Sequence, residues 1–287
     1  MTAPQTLRLA DVLEVLEGAY PLDWAEDWDR VGLVLGERDA PVTRVLLAVD
    51  PTVAVAAEAV DAGAQLLITH HPLLLRGASF LPADQGKGAV VTRLLRAGTA
   101  LWCGHTNVDR SSRGTVGAWI RTLDLREVRP LVPPAPGSEG RFGSESIGLG
   151  AVGEMGEPTT VQGLAQRIAN RVPRTAQGIR FTGDPEREVR TVAVCPGAGD
   201  SFLEQAAGCG ADVYITSDLR HHPASEHIES AADEAAVPAL IDVAHAASEA
   251  LWLPLLAELL EENLPALEVS VSAVRTDPWG GRVDPTE

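Results

Sequence analysis

Short apolar runs that alternate with helix-length segments constrain this chain most. The run Arg44-Val45-Leu46-Leu47-Ala48-Val49-Asp50 is apolar at consecutive positions, the Ala-rich stretch from Val53 to Ala62 follows, and Gln65-Leu66-Leu67-Ile68-Thr69 is apolar again. A strand that is apolar on both faces must be covered on both, and two of them joined by a helix predict a parallel βαβ unit. The alternation continues with a helix near Val90 to Ala97, a strand at Ala100 to Cys103 and a helix near Val116 to Leu123. Ahead of it, Leu9, Val12, Leu13 and Leu16 recur at helical spacing between acidic residues and predict an amphipathic first helix from Arg8 to Glu17.

The segment from Leu125 to Phe142 holds Pro130, Pro133, Pro134, Pro136, Gly137 and Gly140. Such a density of Pro and Gly predicts no regular element and marks a boundary between lobes. A second series comes after it, with strands at Ile147 to Val152, Val189 to Val194, Asp212 to Thr216, Ala239 to Val243 and Leu267 to Val274. Helices at Thr159 to Arg171, Phe202 to Gly208, Ala224 to Ala235 and Ala246 to Glu262 separate them, with Pro254 expected to kink or break the last. The expected fold is α/β, two lobes of mixed, largely parallel sheets flanked by helices. They are an N-terminal lobe over 1–125, a Pro/Gly-rich connection over 126–142 and a C-terminal lobe over 143–287. A chain of 287 residues buries roughly three-quarters of its unfolded surface, so it needs no staples.

Charge and composition narrow the function classes. A formal charge of -17 repels phosphate backbones and anionic surfaces, so nonspecific nucleic-acid binding is not expected. No uncharged apolar run approaches the ~20 residues of a membrane span, and acidic residues interrupt the first apolar stretch, which has no signal-peptide core. A cytoplasmic protein is expected. The three cysteines, Cys103, Cys195 and Cys209, lack CxxC spacing and read as small buried residues.

All seven histidines lie beside strand ends or turns, and the carboxyl ends of strands are where open α/β sheets bind ligands. His70 and His71 end an apolar strand and precede Pro72, which favours an extended backbone at His71. Adjacent extended side chains diverge, so two imidazoles reach two points more readily than they chelate one ion; a hydrogen-bonded pair capping the next turn is the alternative. Asp109, in Gly104-His105-Thr106-Asn107-Val108-Asp109, is a cation ligand or a helix cap. His245 and Glu249 are four residues apart and share one face of a helix that starts there; an ordinary surface pair has the same spacing. In Ser217-Asp218-Leu219-Arg220-His221-His222, Asp218 and His222 could move protons beside a metal, or Asp218 could cap a helix. The turn Cys195-Pro196-Gly197-Ala198-Gly199-Asp200-Ser201 reads as tight-turn chemistry, with anion binding as the alternative.

Five ordered blocks together resemble the Nif-three-like family, the dinuclear-metal hexameric proteins known as GTP cyclohydrolase type 2 homologues. They are Ala25-Glu26-Asp27-Trp28-Asp29-Arg30-Val31-Gly32-Leu33, Ile68-Thr69-His70-His71-Pro72, His105-Thr106-Asn107-Val108-Asp109, Ile215-Thr216-Ser217-Asp218 and Asp242-Val243-Ala244-His245-Ala246-Ala247-Ser248-Glu249. The resemblance implies two divalent ions per subunit in the cleft between lobes, with His71 and Asp109 on one ion, His70 and His245 on the other, and Glu249 bridging both. Zinc, iron, manganese and cobalt all suit mixed His and carboxylate ligation. It also implies a homohexamer built as a trimer of dimers, and a small-molecule ligand of nucleotide type. The implied reaction is hydrolysis through a metal-bound hydroxide, with GTP ring opening as the reaction in the relatives' name and Asp218, His222 and His105 as candidate proton carriers. A noncatalytic metal-containing binding or regulatory scaffold is the alternative. Ser217 and Ala244 stand where the family commonly has Gly, so a need for positive φ at either would introduce strain of order 1 kcal/mol.

Overall fold

The computed structural model describes residues 7–133, 146–231 and 236–284. The chain forms two compact units. One is drawn from residues up to Val108 together with Trp252–Thr276, the other from Asp109–Leu251 and the residues after Thr276. The expected break at 126–142 therefore falls inside the second unit, and the chain instead changes unit near 108 and again near 251.

In the first unit, a five-stranded sheet has the order β1 (Gly32–Leu35), β4 (Ala100–Cys103), β3 (Leu66–Thr69), β2 (Arg44–Ala48), β11 (Glu268–Val271). All neighbours are parallel except β1 with β4. Every residue of β3 and β4 is buried, the outcome expected of a parallel sheet covered on both faces. On one side Leu46, Leu67 and Leu101 pack against Val55, Ala56 and Ala59 of α2 (Val53–Asp61) and Val90, Val91 and Leu94 of α3 (Gly86–Ala97). The Thr52 hydroxyl caps α2 by accepting from the Val55 N–H at 3.2 Å, and Gly98 ends α3 at φ 69, a left-handed cap open to glycine at little cost. Helix α1 (Leu9–Ala19) buries the predicted stripe of Leu9, Val12, Leu13 and Leu16.

Two departures from the sequence reading concern this unit. The last strand pairs with β2 in the first sheet, Val269 opposite Val45, and not in the C-terminal series. The single helix expected over Ala246 to Glu262 is two, α9 (His245–Glu249) and α10 (Trp252–Asn263). Pro254 sits in the first turn of α10, where its missing N–H removes no helical hydrogen bond. The interruption precedes it, where the chain passes from one unit to the other.

The second unit carries a six-stranded sheet ordered β5 (Leu125–Val132), β6 (Leu149–Thr160), β8 (Glu188–Ala198), β9 (Val213–Ser217), β10 (Ala239–Asp242), β7 (Arg180–Phe181). Only β8 with β9 and β9 with β10 are parallel; the other pairings are antiparallel, so this sheet is less parallel than expected. A strand occupies 125–132 despite Pro130 because β5 lies at the sheet edge, where a residue without an N–H is tolerated. Residues 134–145, with the rest of the Pro/Gly cluster, lie outside the described residues, as do 232–235 at the end of the helix expected to reach Ala235. That helix, α8, is observed over His221–Glu229. The period-2 alternation of β8 serves two cores. Val192 and Val194 face Trp119 of α5 (Thr115–Leu123) and Leu164 and Ile168 of α6 (Val161–Ala169), whereas Ala193 and Cys195 pack with Leu203 and Ala206 of α7 (Leu203–Gly208).

Candidate metal centre

In the first unit, the carboxyl ends of three parallel strands gather the histidines. Buried His70 follows β3, and its N–H reaches the Val49 carbonyl at 3.1 Å, so the backbone continues along β2 beyond the strand proper. Its ring Nδ1 lies 2.9 Å from the Gly104 carbonyl, just past β4. The His71 Nδ1 lies 2.6 Å from Asp50 Oδ1, just past β2, and the Thr276 hydroxyl donates to the other oxygen of Asp50. The His105 Nδ1 lies 2.9 Å from Asp29 Oδ1. A carbonyl or carboxylate oxygen can only accept, so each of these Nδ1 atoms carries a proton, which leaves Nε2 as the nitrogen that offers a lone pair when the ring is neutral. The ligand nitrogens of His70, His71 and His105 all lie within 4.8 Å of one another.

Asp29 is the anchor of this half. Its carboxylate accepts from the Thr106 N–H at 3.0 Å, the Thr106 hydroxyl at 2.5 Å and the Arg30 N–H at 2.7 Å, besides His105. Burial opposes its ionisation, but the hydrogen bond and charge of His105 and the two Thr106 donors more than offset that and hold it well below the usual carboxylate range. The indole of Trp252, 5.7 Å from the His70 ring and edge-on to it, donates its N–H to the Tyr20 hydroxyl at 3.1 Å and walls the buried imidazole.

The second unit repeats the arrangement at the ends of β8, β9 and β10. His245 opens α9 three residues beyond Asp242, and its Nδ1 lies 2.7 Å from Oδ2 of Asp218, which follows β9. Its Nε2 stands 2.9 Å from Oε1 of Glu249, one helical turn on. With Nδ1 protonated, that contact sets two acceptors face to face, a pairing that repels unless a proton or a metal ion lies at them. Glu249 is buried, and α9 is held in place by the Trp119 indole, whose N–H lies 3.1 Å from the Ser248 carbonyl. At the end of β8, Gly197 (φ +69) passes so close that a Cβ there would stand 2.5 Å from Glu249 Oε1 and 3.2 Å from His245 Nε2. The Thr216 hydroxyl fixes that turn by donating to the Gly197 carbonyl at 3.0 Å. Asp109, at the end of α4 (Thr106–Asp109), accepts from the Thr115 hydroxyl at 2.5 Å. Burial pushes the Cys195 thiol up to about 12, and the carboxylates of Asp109 and Glu249 add to the rise.

These side chains suit a divalent cation. Imidazoles oriented through Nδ1 by an oxygen acceptor are the usual form of metal-ligating histidine, and imidazole with carboxylate is a borderline donor set. The space that Gly197 leaves open beside His245 and Glu249 is a cradle that any other side chain would fill. Among the residues named from the sequence, Asp218 acts on the His245 ring, and His105 joins the His70–His71 pair. His222 is exposed in the first turn of α8, with its ring 5.0 Å from that of His221. Ser217 and Ala244 do not take positive φ; Ala244 is at φ -57, and the left-handed residue is Asp218 at φ 57. Short polar side chains tolerate that region, which removes the expected strain. Sequence reasoning missed Asp50 and the partnership of Asp29 with His105, and it took Gly197 for turn chemistry, with anion binding as the alternative, and not for a neighbour of His245 and Glu249.

Comparison with known proteins supplies the family and the fold. The model of the Duf34/NIF3 (NGG1p interacting factor 3) family matches residues 7–278. A Streptomyces coelicolor protein named GTP cyclohydrolase 1 type 2 homolog is 47% identical over 281 residues, covering 96% of this chain and 95% of that protein. A Mycobacterium tuberculosis protein of the same name is 33% identical, covering 96% and 97%. Among solved structures, a Bacillus cereus protein related to NIF3 shares the fold with a TM-score of 0.84 at 22% identity over 96% of this chain and 99% of that one. A Staphylococcus aureus hypothetical protein reaches 0.81 at 27% identity over 96% and 99%. Among the described residues no helix is long and apolar enough to cross a membrane. The chain belongs to the Duf34/NIF3 family.

Proposed function

We propose that the protein binds two divalent metal ions per chain and uses them in a hydrolytic reaction, and that its ligands are His70, His71, Asp109, His245 and Glu249. The observation that carries the reading is the common tethering of the imidazoles. His70, His71 and His245 each have Nδ1 fixed to an oxygen acceptor, so each is oriented as a lone-pair donor through Nε2. Divalent ions held by such donors supply Lewis acidity toward water and toward a polarised substrate oxygen. Asp218 and Asp50 orient their imidazoles, and Glu249 supplies a buried carboxylate. His105, tethered to Asp29, exchanges a proton at Nε2, and His222 relays protons at the surface. The names of the relatives support a nucleotide substrate and a GTP cyclohydrolase-like reaction, and the family resemblance supports a homohexamer.

The test is elemental analysis of protein purified without chelator or added metal, in wild type and in His70→Ala and Glu249→Gln, with circular dichroism to check folding. About two ions in the wild type and a loss in both folded variants are expected. Absence of metal, with none taken up on titration, refutes the reading. The family description as an interacting factor favours a second reading, a noncatalytic metal-containing binding protein. Turnover separates the two, since a scaffold binds nucleotide stoichiometrically and releases it unchanged.

A further inference from the structure

In a chain with 4% aromatic residues, Trp28 leaves 56% of its surface exposed. It is not on a loose segment. The loop 25–31 lies between a 3-10 turn at Leu22–Trp24 and β1, and both residues that flank the Trp28 turn are bound to one threonine. The Glu26 N–H donates to the Thr106 hydroxyl at 2.9 Å, and Asp29 accepts from the N–H and hydroxyl of the same residue. The Asp29 N–H closes the turn on the Glu26 carbonyl at 2.9 Å. The indole therefore stands on a pinned backbone, with its plane 79° from that of His105 and the ring centroids 5.9 Å apart. The His105 ring is in turn 5.2 Å from His70 and 5.8 Å from His71. A large, half-exposed aromatic on a pinned backbone thus stands one ring away from the His70, His71 and His105 cluster.

We infer that Trp28 is a stacking platform for a planar heteroaromatic ligand, taken as a purine base on the nucleotide reading proposed above, and that it positions this ring at the His70, His71 and His105 cluster. Tryptophan presents a large π-face at little entropic cost because only two torsions are fixed, and Asp29 pins the backbone that carries it. Stacking accepts a ring by its face, so it selects bases over simple phosphoesters without hydrogen-bond readout. The inference rests on the metal-centre reading only for the fate of the bound ring; stacking on Trp28 is measured separately.

The test compares wild type, Trp28→Leu and Trp28→Tyr, all loaded with the same metal, by calorimetric titration with guanosine, GTP and inorganic tripolyphosphate. Elemental analysis and mass by light scattering are run on each. Expected are a rise in Kd on the order of 10- to 100-fold for guanosine and GTP in the Leu variant, near-wild-type affinity in the Tyr variant, and unchanged tripolyphosphate binding, metal content and mass. No guanosine binding by the wild type, equal guanosine affinity in the Leu variant, or a loss extending equally to tripolyphosphate overturns the inference. A change of mass also overturns it, by making Trp28 a subunit contact. Failure to bind metal, with guanosine binding still lost on Trp28→Leu, refutes the metal reading and leaves the platform.

Discussion

Asp29→Asn removes a charge without changing shape, at the carboxylate that holds both the Trp28 loop and His105. The native carboxylate accepts four hydrogen bonds, two at each oxygen. An amide supplies one accepting oxygen, so its NH2 must face one of the two donor pairs. Facing Arg30 and His105 it would meet two N–H groups. Facing Thr106 it meets one N–H and a hydroxyl, and the hydroxyl can turn to accept. The second placement is cheaper, yet it strands the Thr106 N–H and removes the charge from the remaining bonds. One lost charge-assisted bond and one buried donor without a partner amount to about 3 kcal/mol. The pH dependence gives an independent check. Because the folded value is depressed, the Asp29 contribution is fully present above the unfolded value and is lost as pH falls through the folded one. The stability gap between wild type and variant should therefore narrow by about 1.4 kcal/mol for each pH unit below ~3.9. Urea denaturation at pH 7 and at two points between pH 4 and pH 3 measures both quantities. A gap under about 1 kcal/mol at pH 7, or one that stays constant on acidification, would refute the argument.

Other perturbations test other parts. Gly197→Ala places a methyl 2.5 Å from Glu249 Oε1 at φ +69; about 1 kcal/mol of backbone strain and reduced metal content by elemental analysis are expected, and an unchanged metal content would show that the close approach is incidental. Asp218→Asn keeps a residue tolerated at φ 57 but weakens the hold on His245 Nδ1. Metal affinity by chelator competition should fall roughly 10- to 100-fold, with stability shifted by less than about 0.5 kcal/mol because the side chain is exposed. In native protein at pH 8, iodoacetamide should modify Cys209 alone. Cys195 is pushed up to about 12 and Cys103 well above the usual thiol range, chiefly by burial, whereas Cys209 is partly exposed. Peptide mass spectrometry reads this directly, and rapid labelling of Cys195 would show that the end of β8 opens.

Local pattern was enough for strands buried on both faces. β2, β3, β4, β9 and β10 stand close to where their apolar runs place them, because a four- or five-residue, mostly apolar run flanked by turns has few other folded uses. Pattern was insufficient where pairing is decided at long range. β11 resembles any other short strand, and only its partner β2, more than two hundred residues earlier, assigns it to the first sheet. β5 was obscured by Pro130, whose acceptability depends on the strand having a neighbour on one side alone. The division of the C-terminal helix into α9 and α10 also follows from tertiary structure, since Ala250 and Leu251 carry no breaker; the chain leaves one unit there and enters the other.

The site was legible to the extent that its residues follow parallel strands. A search for His and Asp just past each apolar run finds His70 and His71 after β3, His105 after β4, Asp218 after β9 and His245 after β10, and the same rule extended to β2 would have found Asp50. Asp29 escapes that rule because it precedes its strand. β1 runs antiparallel to β4, with Gly32 opposite Cys103, so the entrance to β1 lies beside the exit from β4. The reversal brings Asp29 to His105 across 76 positions of sequence. It also carries Trp28 to the same edge, so the polarity of one short strand decides whether an indole meets the histidines or stands at the far end of the sheet. Neither the composition nor the periodicity of Gly32–Leu35 encodes that polarity. It follows from the sheet as a whole, in which β4 offers its outer edge only after β3 has occupied the inner one.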